Sequence, residues 1–227
     1  MRVDRDEIAA ALDQTLLRPT AGFAEAAEWI DGMRGEGFAT LCVSPFLVPL
    51  AAQRLAGTAT QVCSVCAFPL GYAMTETKAE EAAHLVELGC TEVDVVMNVA
   101  AFLEGEHVFV RDDLRAVVDA VRDASDGKAF VKVILETGLL PGGDAIAAAS
   151  RIAVDAGADF VKTSTGFGPR GASVDDVRAM RAAVGPDVGV KAAGGIRDLP
   201  TALAMLEAGA TRIGTSSGLE ILSAVER

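Results

Sequence analysis

The chain has 227 residues, of which 51% are hydrophobic, and a formal net charge of −12 at pH 7. This length predicts one compact domain over residues 1–227, and the apolar content with 23 glycines is typical of buried parallel strands joined by short turns. The negative charge argues against nucleic acid and anionic membranes as partners, so an anionic ligand needs a local pocket rich in hydrogen-bond donors.

The start of the sequence lacks a signal-peptide pattern, and no run of about 18 apolar residues occurs, which predicts a cytoplasmic protein without a membrane partner. Two of the four cysteines, Cys63 and Cys66, have the spacing of a metal-binding or redox pair. They lie in the apolar run 61–68, where residues three apart point to opposite faces of a strand. We therefore predict buried free thiols.

Short apolar runs alternate with stretches of helical periodicity along the chain, without a linker or a low-complexity block between them. Eight of these runs are predicted strands: residues 11–16, 38–43, 61–67, 92–98, 130–135, 159–163, 188–192 and 211–214. Each one is followed by a stretch long enough to form a helix, as in alternating β and α structure.

Two patterns between the strands predict particular helices. Thr77 and Glu80 form a Thr-x-x-Glu capping box, which predicts the start of a helix running toward Leu88. The second helix has one apolar face at helical spacing. Its members are Val110, Leu114, Val117, Val118 and Val121.

A weak repeat indicates helix C-termini that lead quickly into strands. Its copies are Leu88-Gly89-Cys90, Ala156-Gly157-Ala158 and Ala208-Gly209-Ala210. Eight strands alternating with helices predict an α/β fold, a single-domain (β/α)8 TIM barrel, whose functional residues lie at the C-terminal ends of the strands. The alternative is an open doubly wound sheet, but the Gly-x-Gly-x-x-Gly turn that usually follows its first strand is absent.

Lysine usage gives the clearest functional signal, because the chain has only five lysines: Lys78, Lys128, Lys132, Lys162 and Lys191. The last three fall inside predicted strands. Burial of an unpaired ammonium is unfavourable, so each of them either pairs with an acid such as Asp94 or Glu136 or loses its proton. For a single lysine both alternatives stay open.

Lys162 and Lys191 lie on successive predicted strands, so two ammonium groups would face one lumen and disfavour each other's charge. A neutral amine is what a carbonyl-attacking nucleophile requires. Asp94 lies in the middle of another apolar run, where it is either a counter-ion for the lysines or a general acid/base for a bound intermediate. We predict these three residues as catalytic.

Glycine-containing loops follow the last three predicted strands, at 164–168, 193–197 and 214–218. Barrels often bind phosphate with the loops after strands seven and eight, through backbone N–H groups and a short helix N-terminus. Each glycine alone is a turn residue, but together these loops predict a phosphate cradle, to which Arg197 adds charge. Its predicted residues are Gly194, Gly195, Gly214, Ser216 and Ser217.

Other chemistries have no signal in the sequence. No set of residues resembles a zinc or magnesium site, a Ser-His-Asp set or an aromatic and basic nucleic-acid surface. We predict neither a metal nor a cofactor, and no nucleic-acid partner.

Seven ordered segments resemble the deoxyribose-phosphate aldolase family, the DeoC-type class I aldolases, over nearly the whole chain. They are residues 12–19, 41–45, 93–98, 131–137, 160–166, 190–197 and 212–217. The resemblance implies a lyase that reversibly cleaves 2-deoxy-D-ribose 5-phosphate into D-glyceraldehyde 3-phosphate and acetaldehyde in deoxynucleoside breakdown. It also implies a homo-oligomer, expected to be a dimer.

The resemblance also implies roles for individual residues. Lys162 would form the Schiff base, Lys191 would favour the neutral form of that amine, and Asp94 would relay protons with a water. Gln14 departs from the family pattern, because many members have histidine there. Further substrate contacts are implied for Asp13, Thr15, Cys42, Lys132, Thr165 and Gly166.

Two alternative functions remain at this point. The first keeps the Schiff base but takes another phosphorylated aldehyde or ketose as substrate. The second is a non-catalytic sugar-phosphate-binding barrel, in which the lysines are ion-paired ligands only.

Overall fold

The computed structural model describes residues 4–225 and contains a closed barrel of eight parallel strands in chain order, with the last strand paired to the first. This confirms the single-domain (β/α)8 barrel and excludes the open sheet. The ends of the predicted domain, 1–3 and 226–227, lie outside the described residues. The strands are β1 (Leu12–Leu16), β2 (Thr40–Val43), β3 (Gln61–Cys66), β4 (Glu92–Val96), β5 (Phe130–Ile134), β6 (Phe160–Lys162), β7 (Gly189–Ala193) and β8 (Arg212–Thr215).

Helices surround the barrel, and one short helix precedes β1. Two 3-10 turns, Pro45–Leu47 and Thr137–Leu139, follow β2 and β5. The helices are α1 (Arg5–Ala10), α2 (Phe23–Met33), α3 (Val48–Leu55), α4 (Thr75–Glu87), α5 (Val99–Leu103), α6 (His107–Ser125), α7 (Gly143–Asp155), α8 (Val174–Val184), α9 (Leu199–Glu207) and α10 (Gly218–Val225).

The predicted strands are all present, and their bounds differ from the prediction by at most two residues. The strands are buried over nearly their whole length because helices cover their outer face and side chains fill the lumen. The predicted apolar face of α6 is confirmed as well, since its five residues are fully buried between helix and barrel.

The predicted capping box is wrong. The helix α4 begins at Thr75, after Met74 in an extended conformation, so Thr77 and Glu80 lie inside it and are exposed. A tertiary contact explains the earlier start, because the Thr75 hydroxyl donates a hydrogen bond of 2.7 Å to Asp113 on α6. That contact holds the first turn of the helix against its neighbour.

The predicted helix C-termini are confirmed at all three repeats. Gly89, Gly157 and Gly209 have φ angles of 104°, 98° and 111°, a conformation that side chains disfavour. In each case the next residue bonds back to the helix, as in the Cys90 N–H to Leu85 carbonyl distance of 3.0 Å. The repeat therefore marks one recurring turn that leads from a helix into the next strand.

All four cysteines are buried free thiols, as predicted. Cys63 faces the lumen, with its sulfur 3.4 Å from Asp94, whereas Cys66 faces α4 and donates to the Lys78 carbonyl at 3.3 Å. The two thiols thus point to opposite faces of β3. Among residues 4–225, no helix combines the length and the apolar character needed to cross a membrane.

Candidate active site

Two lysines on neighbouring strands share one carboxylate in the barrel lumen. Lys162 and Lys191 are paired in register on β6 and β7. Their Nζ atoms both lie 2.7 Å from Oδ2 of Asp94 on β4. The side chains of Asp94, Lys191 and Lys162 are 0%, 1% and 4% exposed, so the group is nearly shielded from solvent. The structure therefore brings together the three residues predicted to be catalytic.

Further ion pairs extend this group toward the N-terminal ends of the strands. Lys132 Nζ lies 2.7 Å from Asp94 Oδ1 and 2.7 Å from Glu92 Oε2. Lys191 Nζ lies 2.5 Å from Asp13 Oδ2. We call the connected set the lumen charge network. Within the described residues it consists of Asp13, Glu92, Asp94, Lys132, Lys162, Lys191 and Arg212.

Two carboxylates of the network, Asp94 and Asp13, are ionised. Burial raises the pKa of Asp94, but the attraction of Lys132, Lys162 and Lys191 outweighs burial and holds that pKa well below its ordinary value. Burial acts in the same direction on Asp13, where the surrounding cations likewise bring the pKa below the ordinary range. Both groups therefore act as acceptors for the lysines.

The prediction that a neighbouring lysine leaves Lys191 with a lowered pKa is wrong, because the carboxylates outweigh the repulsion between cations. Burial lowers the pKa of Lys191, but attraction to Asp13 and Asp94 is stronger and raises the pKa above its ordinary value. For Lys132, burial is likewise outweighed by Asp94 and its other neighbours, so that pKa is raised too. Both side chains are ammonium ions because they are close to carboxylates.

The acid partners of the lumen lysines differ in part from those considered from the sequence. Asp94 is a shared partner, as proposed there, but Glu136 contacts none of the three lumen lysines. Its carboxylate lies at the end of β5 and accepts hydrogen bonds from the Thr165 hydroxyl and, at 3.3 Å, from the Thr165 N–H. Glu136 thus holds the loop after β6.

A cavity of about 590 Å³ opens above the network at the C-terminal ends of the strands. Among the described residues of the network, Lys162 is the only one that lines this cavity. The loops after β1, β6, β7 and β8 form its walls. Most of the predicted substrate-binding residues line it: Thr15, Thr165, Gly166, Gly194, Gly195, Arg197, Gly214 and Ser216.

Four other predicted substrate contacts do not line this cavity. Asp13 and Lys132 are fully buried in the network, below Lys162. Cys42 is fully buried as well and packs with Cys63 on the lumen side of β2 and β3. Ser217 is half-buried, and its backbone N–H donates to the Thr215 hydroxyl at 2.9 Å.

Most of the residues predicted to form a phosphate cradle line one side of the cavity. Gly194 and Gly195 follow β7, and Ser216 follows β8 two residues before α10 begins at Gly218. A helix N-terminus attracts anions through its free N–H groups and its dipole. Arg18 and Arg197 add guanidinium groups to the wall, although Arg18 also pairs with Glu25. This side of the cavity suits an anionic group despite the negative charge of the whole chain.

Gln14 is a supporting residue whose role the sequence did not reveal. Its side-chain oxygen accepts the Gly218 N–H at 2.9 Å, and its amide donates to the Ser216 carbonyl at 3.3 Å. The side chain therefore fixes the loop after β8 from the neighbouring strand β1. A buried amide on the first strand was the available signal, but its partner is 204 residues away in sequence.

Glu92 and Arg212 were also missed. Glu92 lies two residues before Asp94, so both side chains point to the same face of β4. That spacing was a usable signal. Arg212 likewise lies two residues before Gly214 on β8, so both face the same side of that strand. An arginine at the start of a strand is common on a protein surface, so this position gave no clear signal.

Potential metal ligands also meet in the lumen, in the groups Cys42-Cys63-Asp94 and Asp13-Cys63-Glu92. The Lys132 ammonium lies 3.4 Å from Cys63 Sγ and 2.7 Å from an Asp94 oxygen, so a cation already occupies the space between these donors. Burial raises the pKa of the Cys63 thiol far above its usual value, which disfavours the thiolate that a metal needs. The geometry therefore favours ion pairing over metal binding.

The fold and the cavity together define a (β/α)8-barrel enzyme with a lysine on the floor of its pocket. The chain belongs to the DeoC/LacD family aldolases, whose family model matches residues 8–224. It is 48% identical over 217 residues to a deoxyribose-phosphate aldolase of Geobacillus sp. (strain WCH70), covering 96% of this chain and 95% of the relative. A relative of the same name from Enterococcus faecalis (strain ATCC 700802 / V583) is 47% identical, covering 96% of each chain.

A solved structure shares the fold closely. The deoxyribose phosphate aldolase from Aeropyrum pernix superposes with a TM-score of 0.89 at 32% sequence identity, covering 99% of this chain and 94% of that one. That structure is described as a unique tetramer. The family resemblance drawn from the seven sequence segments is thereby confirmed.

Proposed function

We propose that this aldolase reversibly cleaves 2-deoxy-D-ribose 5-phosphate into D-glyceraldehyde 3-phosphate and acetaldehyde, as part of deoxynucleoside breakdown. The observation that carries the proposal is the Lys162 amine on the cavity floor, hydrogen-bonded to the carboxylate it shares with Lys191. The names of the relatives, at 48% and 47% identity over nearly the whole chain, support the substrate.

In the proposed reaction the neutral Lys162 amine attacks the aldehyde carbon C1 of the open-chain sugar, and loss of water gives a protonated imine. The C3 hydroxyl then loses its proton, the C2–C3 bond breaks, and its electron pair moves into the imine to form an enamine. Protonation at C2 and hydrolysis of the imine release acetaldehyde and restore the amine. The protonated imine acts as the electron sink, so the proposal requires neither a metal nor another cofactor.

The charge balance of the lumen supports a neutral Lys162. Among the described residues, the lumen charge network contains three carboxylates and four basic side chains. Lys132, Lys191 and Arg212 have pKa values raised above the ordinary range, although burial opposes each shift. These three cations match the three carboxylates, so the network is neutral when Lys162 carries no extra proton.

Asp94 and Lys191 are proposed to move protons during the reaction. Asp94 Oδ2 lies 2.7 Å from both amines, which places an acceptor beside the atom where the carbinolamine and the imine form. Asp94 would accept a proton directly or through a water, and the Lys191 ammonium would return one. The cation at Lys191 would also favour the neutral form of its neighbour Lys162.

The remaining predicted residues are proposed to bind or position the substrate. The loops that contain Gly194, Gly195, Ser216 and Arg197 would hold the phosphate, and Thr165 and Gly166 would contact the sugar. Four other residues were predicted as substrate contacts but lie away from the cavity surface. We propose that they act by positioning the residues around them: Asp13, Cys42, Lys132 and Ser217.

Borohydride trapping tests the proposal directly. Incubation of the folded protein with deoxyribose phosphate and borohydride should add the mass of a reduced adduct to the peptide that contains Lys162, and Lys162→Arg should abolish both the adduct and cleavage. A control variant, Lys128→Arg, changes an exposed lysine and should behave as wild type. Failure of trapping in folded wild-type protein would contradict the proposed chemistry.

Two further measurements address the alternatives. A kcat/KM for deoxyribose phosphate well above that for fructose bisphosphate is expected, and the reverse order would overturn the substrate assignment. If the barrel only bound sugar phosphates, wild type would show no turnover and Lys162→Arg would retain full binding.

We also propose a cytoplasmic homodimer. Three exposed apolar side chains between β3 and α4, Leu70, Tyr72 and Met74, support self-association, because such side chains favour burial against another chain. Light scattering after size exclusion should give twice the monomer mass, and Met74→Glu should shift the equilibrium toward monomer. A monomeric wild type would contradict the dimer.

Four buried, unpaired thiols support a reducing compartment, which fractionation of the source cells would check.

A further inference from the structure

One member of the lumen charge network is an arginine that lies on the N-terminal side of the barrel, away from the cavity. Arg212 is the first residue of β8, and its Nη1 lies 2.6 Å from Asp13 Oδ1 and 3.0 Å from Glu92 Oε2. Its guanidinium also lies 5.5 Å above the centre of the Phe160 ring. Gly189 makes room for that ring, since a Cβ there would come within 2.1 Å of it.

Arg212 is connected to Lys162 through two chains of ion pairs. In the first, Asp13 bonds Arg212 with one oxygen and Lys191 with the other, and Lys191 contacts the Asp94 oxygen that holds Lys162. In the second, Glu92 connects Arg212 to Lys132, which bonds the other oxygen of Asp94. Arg212 does not line the cavity, which Lys162 borders.

We infer that Arg212 is a positioning residue that sets the charge of the lumen and, through Asp13 and Glu92, keeps the Lys162 amine able to lose its proton. The inference rests on the proposed function of Lys162. It assigns to a residue remote from the cavity a role in the pH at which the amine becomes a nucleophile.

The charges around Lys162 give the direction of the effect. With Arg212 present, three cations balance three carboxylates, and a proton on Lys162 leaves the lumen with a net positive charge. Without Arg212, the same proton would neutralise an excess carboxylate, so Lys162 would hold it more strongly. The lumen also contains the thiols of Cys42 and Cys63, from β2 and β3.

The main test is Arg212→Met, which keeps an apolar group over Phe160 but removes the charge. We expect the rising limb of the plot of kcat/KM for deoxyribose phosphate against pH to move to higher pH by about one unit or more. At pH values below this limb, kcat/KM should fall by at least about tenfold. Arg212→Lys, which restores the charge, should return the limb close to its wild-type position. A purely structural role would lower kcat/KM evenly at all pH values.

A compensating pair of variants distinguishes charge from packing. Glu92→Gln removes one carboxylate and should move the limb to lower pH, opposite to Arg212→Met. The double variant Glu92→Gln/Arg212→Met removes one charge of each sign and should bring the limb back toward wild type. If Arg212→Met does not fold, the shift in Glu92→Gln and its reversal in the double variant still test the inference.

A second readout does not depend on the aldolase reaction. The rate at which formaldehyde and cyanoborohydride methylate Lys162, followed by peptide mass spectrometry against pH, reports the fraction of neutral amine. Arg212→Met should shift this labelling profile to higher pH, whether or not the protein cleaves deoxyribose phosphate. Absence of cleavage with a shifted labelling profile would reject the proposed function and keep the role of Arg212.

Arg122→Met is the matched control. Arg122 lies on α6 near the same end of the barrel and donates to the Gly157 carbonyl at 2.8 Å, outside the lumen charge network. Its profile should match wild type in both assays. An unchanged limb in folded Arg212→Met, or the same shift in Arg122→Met, would overturn the inference.

Discussion

Two lysines of this chain are buried in different surroundings. Lys78 lies between α4 and the neighbouring α6, where its ammonium bonds Asp113 at 2.8 Å and both side chains are at most 1% exposed. Lys162 lies in the lumen, shares the carboxylate of Asp94 with Lys191, and lines a cavity. One lysine has a carboxylate to itself, and the other competes for a shared one.

Burial alone does not distinguish the lysine proposed to react, because Lys78 and Lys162 are both buried. A single buried pair such as Lys78 and Asp113 is neutral as a unit and is closed to any ligand. In the lumen the basic side chains outnumber the carboxylates, and one amine borders open space. These two conditions, an excess of basic groups and access to a cavity, separate Lys162 from Lys78.

The largest expected difference comes from removing the carboxylate of each site. Asp94→Asn should lower kcat by about 10²- to 10⁴-fold, because it removes the acceptor beside the reacting amine. Asp113→Asn should leave kcat of the folded protein within about twofold of wild type and lower its melting temperature. Steady-state kinetics at matched folded fractions would check both. Equal losses of kcat would remove the distinction between the two sites.

The next effect concerns stability rather than rate. Lys78→Met leaves Asp113 buried without its cation, and we expect a loss of about 3–5 kcal/mol in the free energy of unfolding. The substitution Lys128→Met, at a side chain that is 81% exposed, provides the matched control and should cost little. Urea unfolding measures the difference. A mild effect at Lys78 would mean that water or a rearranged side chain replaces the lost ammonium.

A half-exposed pair gives the smallest effect and extends the comparison to acid pH. Asp176 on α8 bonds Arg170 and accepts from the Thr137 hydroxyl at 2.9 Å. Burial raises the pKa of Asp176, but these hydrogen bonds outweigh it and lower the pKa. The stabilisation is therefore full above the ordinary Asp pKa of about 3.9 and is lost as the pH falls through the lowered value.

We accordingly expect Asp176→Asn to cost about 1–2 kcal/mol at pH 7, a modest value because the Arg170 side chain is 44% exposed to solvent. The cost should shrink below about pH 4. Asp175→Asn, at a neighbouring carboxylate that is 93% exposed, should show no such dependence. Urea unfolding of both variants at several pH values makes the test, and a cost independent of pH would contradict it.

Much of the architecture could be predicted from the sequence, because parallel barrel strands appear as short apolar runs at regular spacing. Lys162, Lys191 and Asp94 stood out for a related reason: charged side chains interrupt runs that are otherwise apolar. The structure places these three together in the lumen. The start of α4 was missed because a tertiary contact of Thr75 with Asp113, which local sequence does not encode, fixes its first turn.

The depth of each side chain could not be predicted. Lys162 is paired in register with Ile134, two residues beyond Lys132, so Lys132 lies one lumen layer deeper than expected for a substrate contact. The stagger of the strands around the barrel sets these layers, and the pattern within one strand contains no information about it. The contact between Arg212 and Glu92 could not be predicted for the same reason, since it depends on the registers between strands, although the spacing of Glu92 and Asp94 was a usable signal.

Gln14 connects the two ends of the chain. Its amide holds the backbone at Ser216 and Gly218, so the side of the cavity proposed to bind phosphate depends on the pairing of the first and last strands. If that side binds phosphate, phosphate affinity should depend on an intact contact between β1 and β8. A circular permutant that opens the chain between two other strands would retain this contact between β1 and the loop after β8, whereas a fragment without β1 would lose it.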